Sequence, residues 1–130
     1  MSTVTIVCIA LMGILLFVLG ANVSRQRAIR GAGNQAPTDP TDRLLIAIRA
    51  HGNAAEYIPT MIVLLLVCSV LSDSWLVDVL AVASLVVRTT HAVGMLSAKT
   101  LAAHGPLRDV GAFGTYLTGI ALGVTAIVTI

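Results

Sequence analysis

Arg49, Asn53, Glu56 and Tyr57 follow one another at helical spacing and lead straight into the apolar stretch 60–71. An arginine takes a carboxylate as a bidentate pair. A glutamate takes an ammonium group, and an amide and a phenol can bond peptide groups. At about 100° per residue, Arg49, Asn53, Glu56, Tyr57 and Thr60 span about 100° of arc, one polar stripe along a helix. His51 falls about 200° from Arg49, on the opposite face, where it either bridges to another helix or meets the interface. A charge at the centre of a bilayer costs about 2.5–3.5 kcal/mol, so a charged stripe there persists only with a partner and a task.

The elements that carry the stripe are legible from composition. Of the 130 residues 57% are hydrophobic and only 11% charged, against about 25% charged in a soluble domain. Apolar blocks predict helices at about 3–23, 42–71, 75–96 and 107–130. Each is close to the roughly 20 residues that cross a bilayer. The blocks do not alternate as barrel strands would. The expected fold is an all-α membrane protein, one domain over 1–130, with four transmembrane helices running up and down.

All eight Lys and Arg fall toward one side. Arg25, Arg27, Arg30 and Arg43 lie in the first loop, with Arg49 just beyond, and Arg88, Lys99 and Arg108 lie around the third. The second loop, near Ser72-Asp73-Ser74, has none. The positive-inside rule then places loops one and three in the cytoplasm and both termini outside a cell (inner) membrane. The first helix lacks a preceding positive region and is followed directly by arginines, so it reads as an anchor rather than a cleaved signal. Cys8 and Cys68 sit within apolar helices and read as small buried hydrophobes, not as a disulfide.

Thr41 or Asp42 can cap the second helix. From Asp42 to Leu71 it would extend about 45 Å, more than the roughly 30 Å hydrocarbon core. Its first turns therefore stand in the headgroup zone, and Glu56 lies in the cytoplasmic half of the membrane. Pro59 predicts a kink just past Glu56. Ser74 can cap the third helix, Trp75 suits the outer interface, and Asp78 suits the positive helix start. Pro106 fits the first turn of the fourth helix. There Gly111, Thr115, Gly119 and Gly123 recur every four residues and permit close helix approach.

The third helix must return antiparallel to the second, because the loop between them is short. Arg88 and His91 then come level with Arg49, Asn53, Glu56 and Tyr57. Two readings are open. In one, Glu56 pairs with Arg49 or Arg88 and the cluster is an internal ion network, a weak stabiliser because desolvation offsets attraction. In the other, an anionic, amide-rich ligand binds from the cytoplasmic side. Two arginines for one carboxylate leave positive charge uncompensated and favour the ligand.

The run Arg49-Ala50-His51-Gly52-Asn53-Ala54-Ala55-Glu56-Tyr57-Ile58-Pro59, with Arg88, His91 and Gly94 on the third helix, resembles the signature of the MAPEG family (membrane-associated proteins in eicosanoid and glutathione metabolism). The resemblance implies a homotrimer with glutathione between subunits near the cytoplasmic surface. It implies glutathione contacts from Arg49, Asn53, Glu56, Tyr57, Arg88 and His91. A hydrophobic electrophile or lipid hydroperoxide would approach from the membrane lipid. In family transferases of the leukotriene-synthase type, the resemblance implies, an arginine between the third helix and the start of the fourth holds the thiolate; its closest gapless counterpart here falls near Ala102, and Arg88 or Arg108 would stabilise the thiolate instead. Neither a metal nor a nucleic-acid partner is expected. The implied activity is a glutathione transferase or peroxidase, and the alternative is a non-catalytic glutathione- or lipid-binding protein of the same fold. A small multidrug exporter would need a carboxylate in its first helix, which has none.

Overall fold

A computed structural model describes residues 1–72 and 74–130; the second loop's Asp73 lies outside the described residues. Four helices follow in order: α1 Thr3–Arg30, α2 Arg43–Leu71, α3 Trp75–Leu96 and α4 Pro106–Val128. All four are long and apolar enough to cross a membrane. The described residues contain no strand.

Local chemistry sets the boundaries. Ser2 caps α1 by accepting from the Thr5 amide at 3.1 Å. At its other end α1 continues to Arg30, two turns past the expected end near Val23. The apolar run stops at Val23, but nothing in Ser24–Arg30 breaks a helix, and Arg27 and Arg30 favour the negative C-terminal end. Gly31 ends it in the left-handed region, φ 61°, where a residue without Cβ costs least. Its amide and that of Ala32 return to the carbonyls of Ala28 and Arg27. Asp42, not Thr41, caps α2, accepting from Leu44 N at 2.7 Å and Leu45 N at 3.4 Å. α2 stays helical through Pro59. Ser74 stands at the cap position of α3, but its side chain makes no capping bond there.

Asp42 also takes an ion pair from Arg30, which ties the end of α1 to the start of α2. Burial raises this carboxyl, but the Leu44 amide, the Arg30 guanidinium and the Leu45 amide outweigh it and hold the group below the ordinary aspartate range. A depressed carboxyl stabilises the fold above its unfolded pKa, and that contribution vanishes as pH falls through the lower folded value. Thermal stability in detergent is therefore expected to drop as the pH falls below about 3.9. Asp42→Asn keeps a capping oxygen and should flatten that part of the profile. An unchanged acid limb in Asp42→Asn would contradict the assignment.

Contacts at the two ends fix the directions. At one end Asp78 of α3 accepts from Thr5 Oγ1 at 2.8 Å and from Ser2 Oγ, so α1 and α3 start together. At the other, Arg43 reaches the Leu96 carbonyl at 3.4 Å and Leu101 N donates to Pro40 O, joining loop one to loop three. α2 and α3 are central, each packing on both its neighbours. α2 also meets α4, and α1 meets α3, but α1 and α4 do not touch.

The core between the helices holds Met12, Ile58, Leu65, Cys68, Ala81 and Leu122. Cys8 and Cys68 are both free and buried. The outer surface is also apolar: Phe17, Val70, Ile120 and Ile127 stand exposed. Contiguous exposed apolar surface marks contact with lipid or with other protein.

α3 and α4 approach backbone to backbone. A Cβ on Gly94 would lie 2.4 Å from Arg108 N, and one on Gly111 would lie 2.5 Å from His91 N. The small-residue stripe of α4 is therefore used within the chain at Gly111 and Thr115. Gly119 and Gly123, the GxxxG pair, meet nothing within 4 Å. Packing complementarity at Gly94 fixes the height of Arg88 and His91 against α4.

Candidate functional site

Arg88 is the centre of the site. It lies in α3, only 1% exposed. Its Nη1 donates to Thr115 Oγ1 of α4 at 3.1 Å, and its Nη2 donates to Asn53 Oδ1 of α2 at 2.8 Å. Its Cζ lies 5.4 Å from the centre of the Tyr57 ring, within cation–π range. Tyr57 in turn meets Tyr116 of α4 edge to face, with centroids 5.8 Å apart. One guanidinium thus ties three helices together through neutral partners. Thr115 is held for this by donating its own hydroxyl to Gly111 O at 2.7 Å.

The ion-pair reading of the stripe does not hold within the chain. Among the described residues Glu56 and Arg49 make no salt bridge and no hydrogen bond. Both are exposed on the outer side of α2, while Asn53 and Tyr57 are half-buried beside them. The stripe therefore has an inner edge attached to Arg88 and an outer edge facing away from the chain. An exposed pair of opposite charges on a membrane-spanning helix is costly where it meets hydrocarbon, and nothing within the chain offsets that cost among the described residues.

His91 is one turn along α3 from Arg88 and 5% exposed. Its Nδ1 lies 2.9 Å from the Arg108 carbonyl. A carbonyl only accepts, so Nδ1 carries the proton and Nε2 is left as the acceptor. That Nε2 is buried with no hydrogen-bond partner, as is Arg88 Nε. Arg108 contributes only this carbonyl to the cluster. Its guanidinium turns to the loop before α4, donating to Ala103 O at 2.6 Å and Leu101 O at 3.5 Å, with Asp109 3.9 Å from Nε.

Of the expected residues, then, Asn53, Tyr57 and Arg88 are brought into contact. Arg49 and Glu56 share their helix face, His91 lies just beyond, and the Arg108 side chain is directed elsewhere. His51 stands against α1, where a Cβ on Gly20 would lie 3.2 Å from its Nε2. Thr115 and Tyr116 were missed. Thr115 reads in the sequence as one member of a packing stripe. Tyr116 gives one cue, a polar-tipped ring in an apolar helix.

Residues 5–128 of the chain match the model of the MAPEG family. Neither a curated protein nor a solved structure matches the chain.

Proposed function

The chain belongs to the MAPEG family, and from that premise we propose that it is a membrane glutathione-dependent enzyme, a transferase or peroxidase for hydrophobic electrophiles or lipid hydroperoxides. The observation that carries this reading is the outer edge of the α2 stripe. Arg49 and Glu56 are exposed, opposite in charge and unpaired within the chain, beside the ordered Asn53–Arg88–Tyr57 group. Glutathione has two carboxylates, one ammonium and two peptide groups. Arg49 would take a carboxylate as a bidentate pair, and Glu56 the ammonium. Asn53 and Tyr57 would meet the peptide groups. Arg88 holds Asn53 in place and supplies positive potential to the site. The His91 Nε2 lone pair is a further acceptor at the same depth.

A second copy of the chain would cover the outward stripe and close the site, and a homotrimer is the assembly we infer. The basic loops one and three would face the cytoplasm of a cell membrane, which gives glutathione its side of entry.

The thiol must ionise to react, and an unassisted thiol of pKa about 8.5 is mostly protonated at neutral pH. Arg88 is near, but both its terminal nitrogens are already engaged, by Thr115 and Asn53. Arg108 would have to release the loop carbonyls to reach a sulfur. In transfer, the thiolate forms a carbon–sulfur bond and a leaving group departs with its electron pair. In peroxide reduction, the thiolate takes the terminal oxygen as a sulfenic acid and an alcohol leaves; a second glutathione then forms the disulfide and water. The engagement of Arg108 favours a second reading, a glutathione- or lipid-binding protein without turnover.

Calorimetric titration of the detergent-solubilised protein should show saturable glutathione binding. Glu56→Ala should weaken it at least about tenfold, the loss of one charge-assisted pair, and leave each chain's secondary structure unchanged. Conjugation of a chlorinated nitrobenzene and reduction of cumene hydroperoxide test turnover. Binding without turnover above Glu56→Ala would select the second reading, and no binding of glutathione at all would remove the first.

A further inference from the structure

A cavity of about 510 Å³ opens at the end of the bundle that carries loops one and three, lined by none of the residues of the α2 stripe. Its floor is apolar, formed by Leu19 of α1, Ile46 of α2 and Leu96 of α3. Its rim is polar: Asn22 and Gln26, one turn apart on α1, face Arg43, the first residue of α2. Neither amide makes a hydrogen bond within the chain among the described residues. Arg43 has one long bond, to Leu96 O at 3.4 Å, and a guanidinium carries five donors. The rim therefore presents amide and guanidinium donors to an empty space above an apolar slot.

We propose that this groove binds one anionic glycerophospholipid. Its phosphate would meet Arg43, the amides of Asn22 and Gln26 would meet headgroup and ester oxygens, and an acyl chain would lie along Val18 and Leu96, the exposed apolar side chains of the groove. Charge decides the class. Among the described residues no carboxylate lines the groove to receive a choline or ethanolamine ammonium. Asp42, the next residue to Arg43, is occupied by the α2 cap and by Arg30. Depth decides between a lipid and a soluble phosphate. Arg43 and Gln26 sit within a turn or so of their helix ends, where headgroups lie, and the floor beneath them is apolar and gains from contact with hydrocarbon.

The test uses the full chain in detergent micelles and native mass spectrometry to count retained lipid. Phosphatidylglycerol is compared with phosphatidylcholine of the same chains, with glycerol 3-phosphate as competitor. One phosphatidylglycerol per chain should be retained, about tenfold more tightly than phosphatidylcholine, and glycerol 3-phosphate should not displace it. Arg43→Ala should lower that affinity about tenfold, and Asn22→Ala with Gln26→Ala should lower it too. Arg25→Ala, an equal charge loss outside the groove, should not. Equal retention of the two lipids overturns the proposal. So does displacement by glycerol 3-phosphate, which marks a free-phosphate site, or an Arg25→Ala effect as large as that of Arg43→Ala, which marks a diffuse field. Arg43→Ala changing the oligomer mass without changing the lipid count overturns it in favour of a second copy. If Arg43→Ala does not fold, the Asn22/Gln26 double variant decides alone.

Discussion

Asn53→Leu is expected to destabilise the protein by about 3 kcal/mol, more than Arg88→Met does, and the double variant is expected to be more stable than Asn53→Leu alone. The order follows from which group is left behind. Removing Asn53 takes the only side-chain oxygen of α2 that receives the buried guanidinium, at 2.8 Å. The charge then keeps Thr115 and the Tyr57 face but loses its strongest acceptor. Leaving a buried charge uncompensated costs about 3–5 kcal/mol, and the two remaining contacts argue for the lower end. Removing Arg88 deletes the charge itself. It forfeits two bonds to a charged donor, about 1.5–3 kcal/mol each, but returns the guanidinium's desolvation cost. Thr115 is not orphaned, since its hydroxyl still donates to Gly111 O, and Asn53 is half-buried and can be solvated. Arg88→Lys should not rescue, because one ammonium cannot reproduce the planar fork that reaches α2 and α4 at once. Unfolding of the four proteins in one detergent gives the cycle. Additive losses would show that Asn53 and Arg88 act independently.

The second large effect is at the α3–α4 contact. Gly94→Ala and Gly111→Ala should each cost about 3 kcal/mol or more, whereas Gly119→Ala and Gly123→Ala should be neutral or mildly stabilising. At Gly94 and Gly111 the added carbon meets partner backbone at 2.4 and 2.5 Å, and a backbone cannot rotate out of the way. Overpacking of a tight core costs about 1–3 kcal/mol, and separating these helices also stretches the Arg88–Thr115 and His91–Arg108 bonds. At Gly119 and Gly123 the space is open, and alanine is favoured over glycine in a helix by about 1 kcal/mol. Thermal unfolding separates the two pairs. Equal effects at all four glycines would mean that the contact between copies, not the contact within the chain, dominates.

How much of this could be read in the sequence depends on the range of the interaction. Four apolar blocks predict four membrane-crossing helices because length and hydropathy are local properties. Helical phase sets His51 apart from Arg49, Asn53 and Glu56, and in the structure His51 faces Gly20 of α1. Hydropathy alone ends α1 too early, because it marks where lipid stops and not where a helix stops; Gly31 is the residue that ends it. The partners of Arg88 were not legible. One open reading paired Glu56 with Arg49 or Arg88, yet the Arg88 guanidinium goes to Asn53 and Thr115, because antiparallel packing at Gly94 and Gly111 fixes which side chains it can reach. Arg108 was ambiguous for the same reason. Its position before α4 is visible in the sequence, but the direction of its side chain is set by the loop carbonyls of Leu101 and Ala103.

The arrangement of Arg88 between α2 and α4 has a consequence for how the chain is made. Thr115 is 27 residues downstream of Arg88, so at about 5–20 residues per second it leaves the ribosome some 1–5 s later. During that interval α3 carries its guanidinium without its α4 acceptor, while Asn53, 35 residues upstream, has already been synthesised. Order of synthesis therefore makes Asn53 available to Arg88 before Thr115 is. The half-buried amide on α2 is thus the first-made half of a seat that Thr115 completes, and it stays in place in the finished fold.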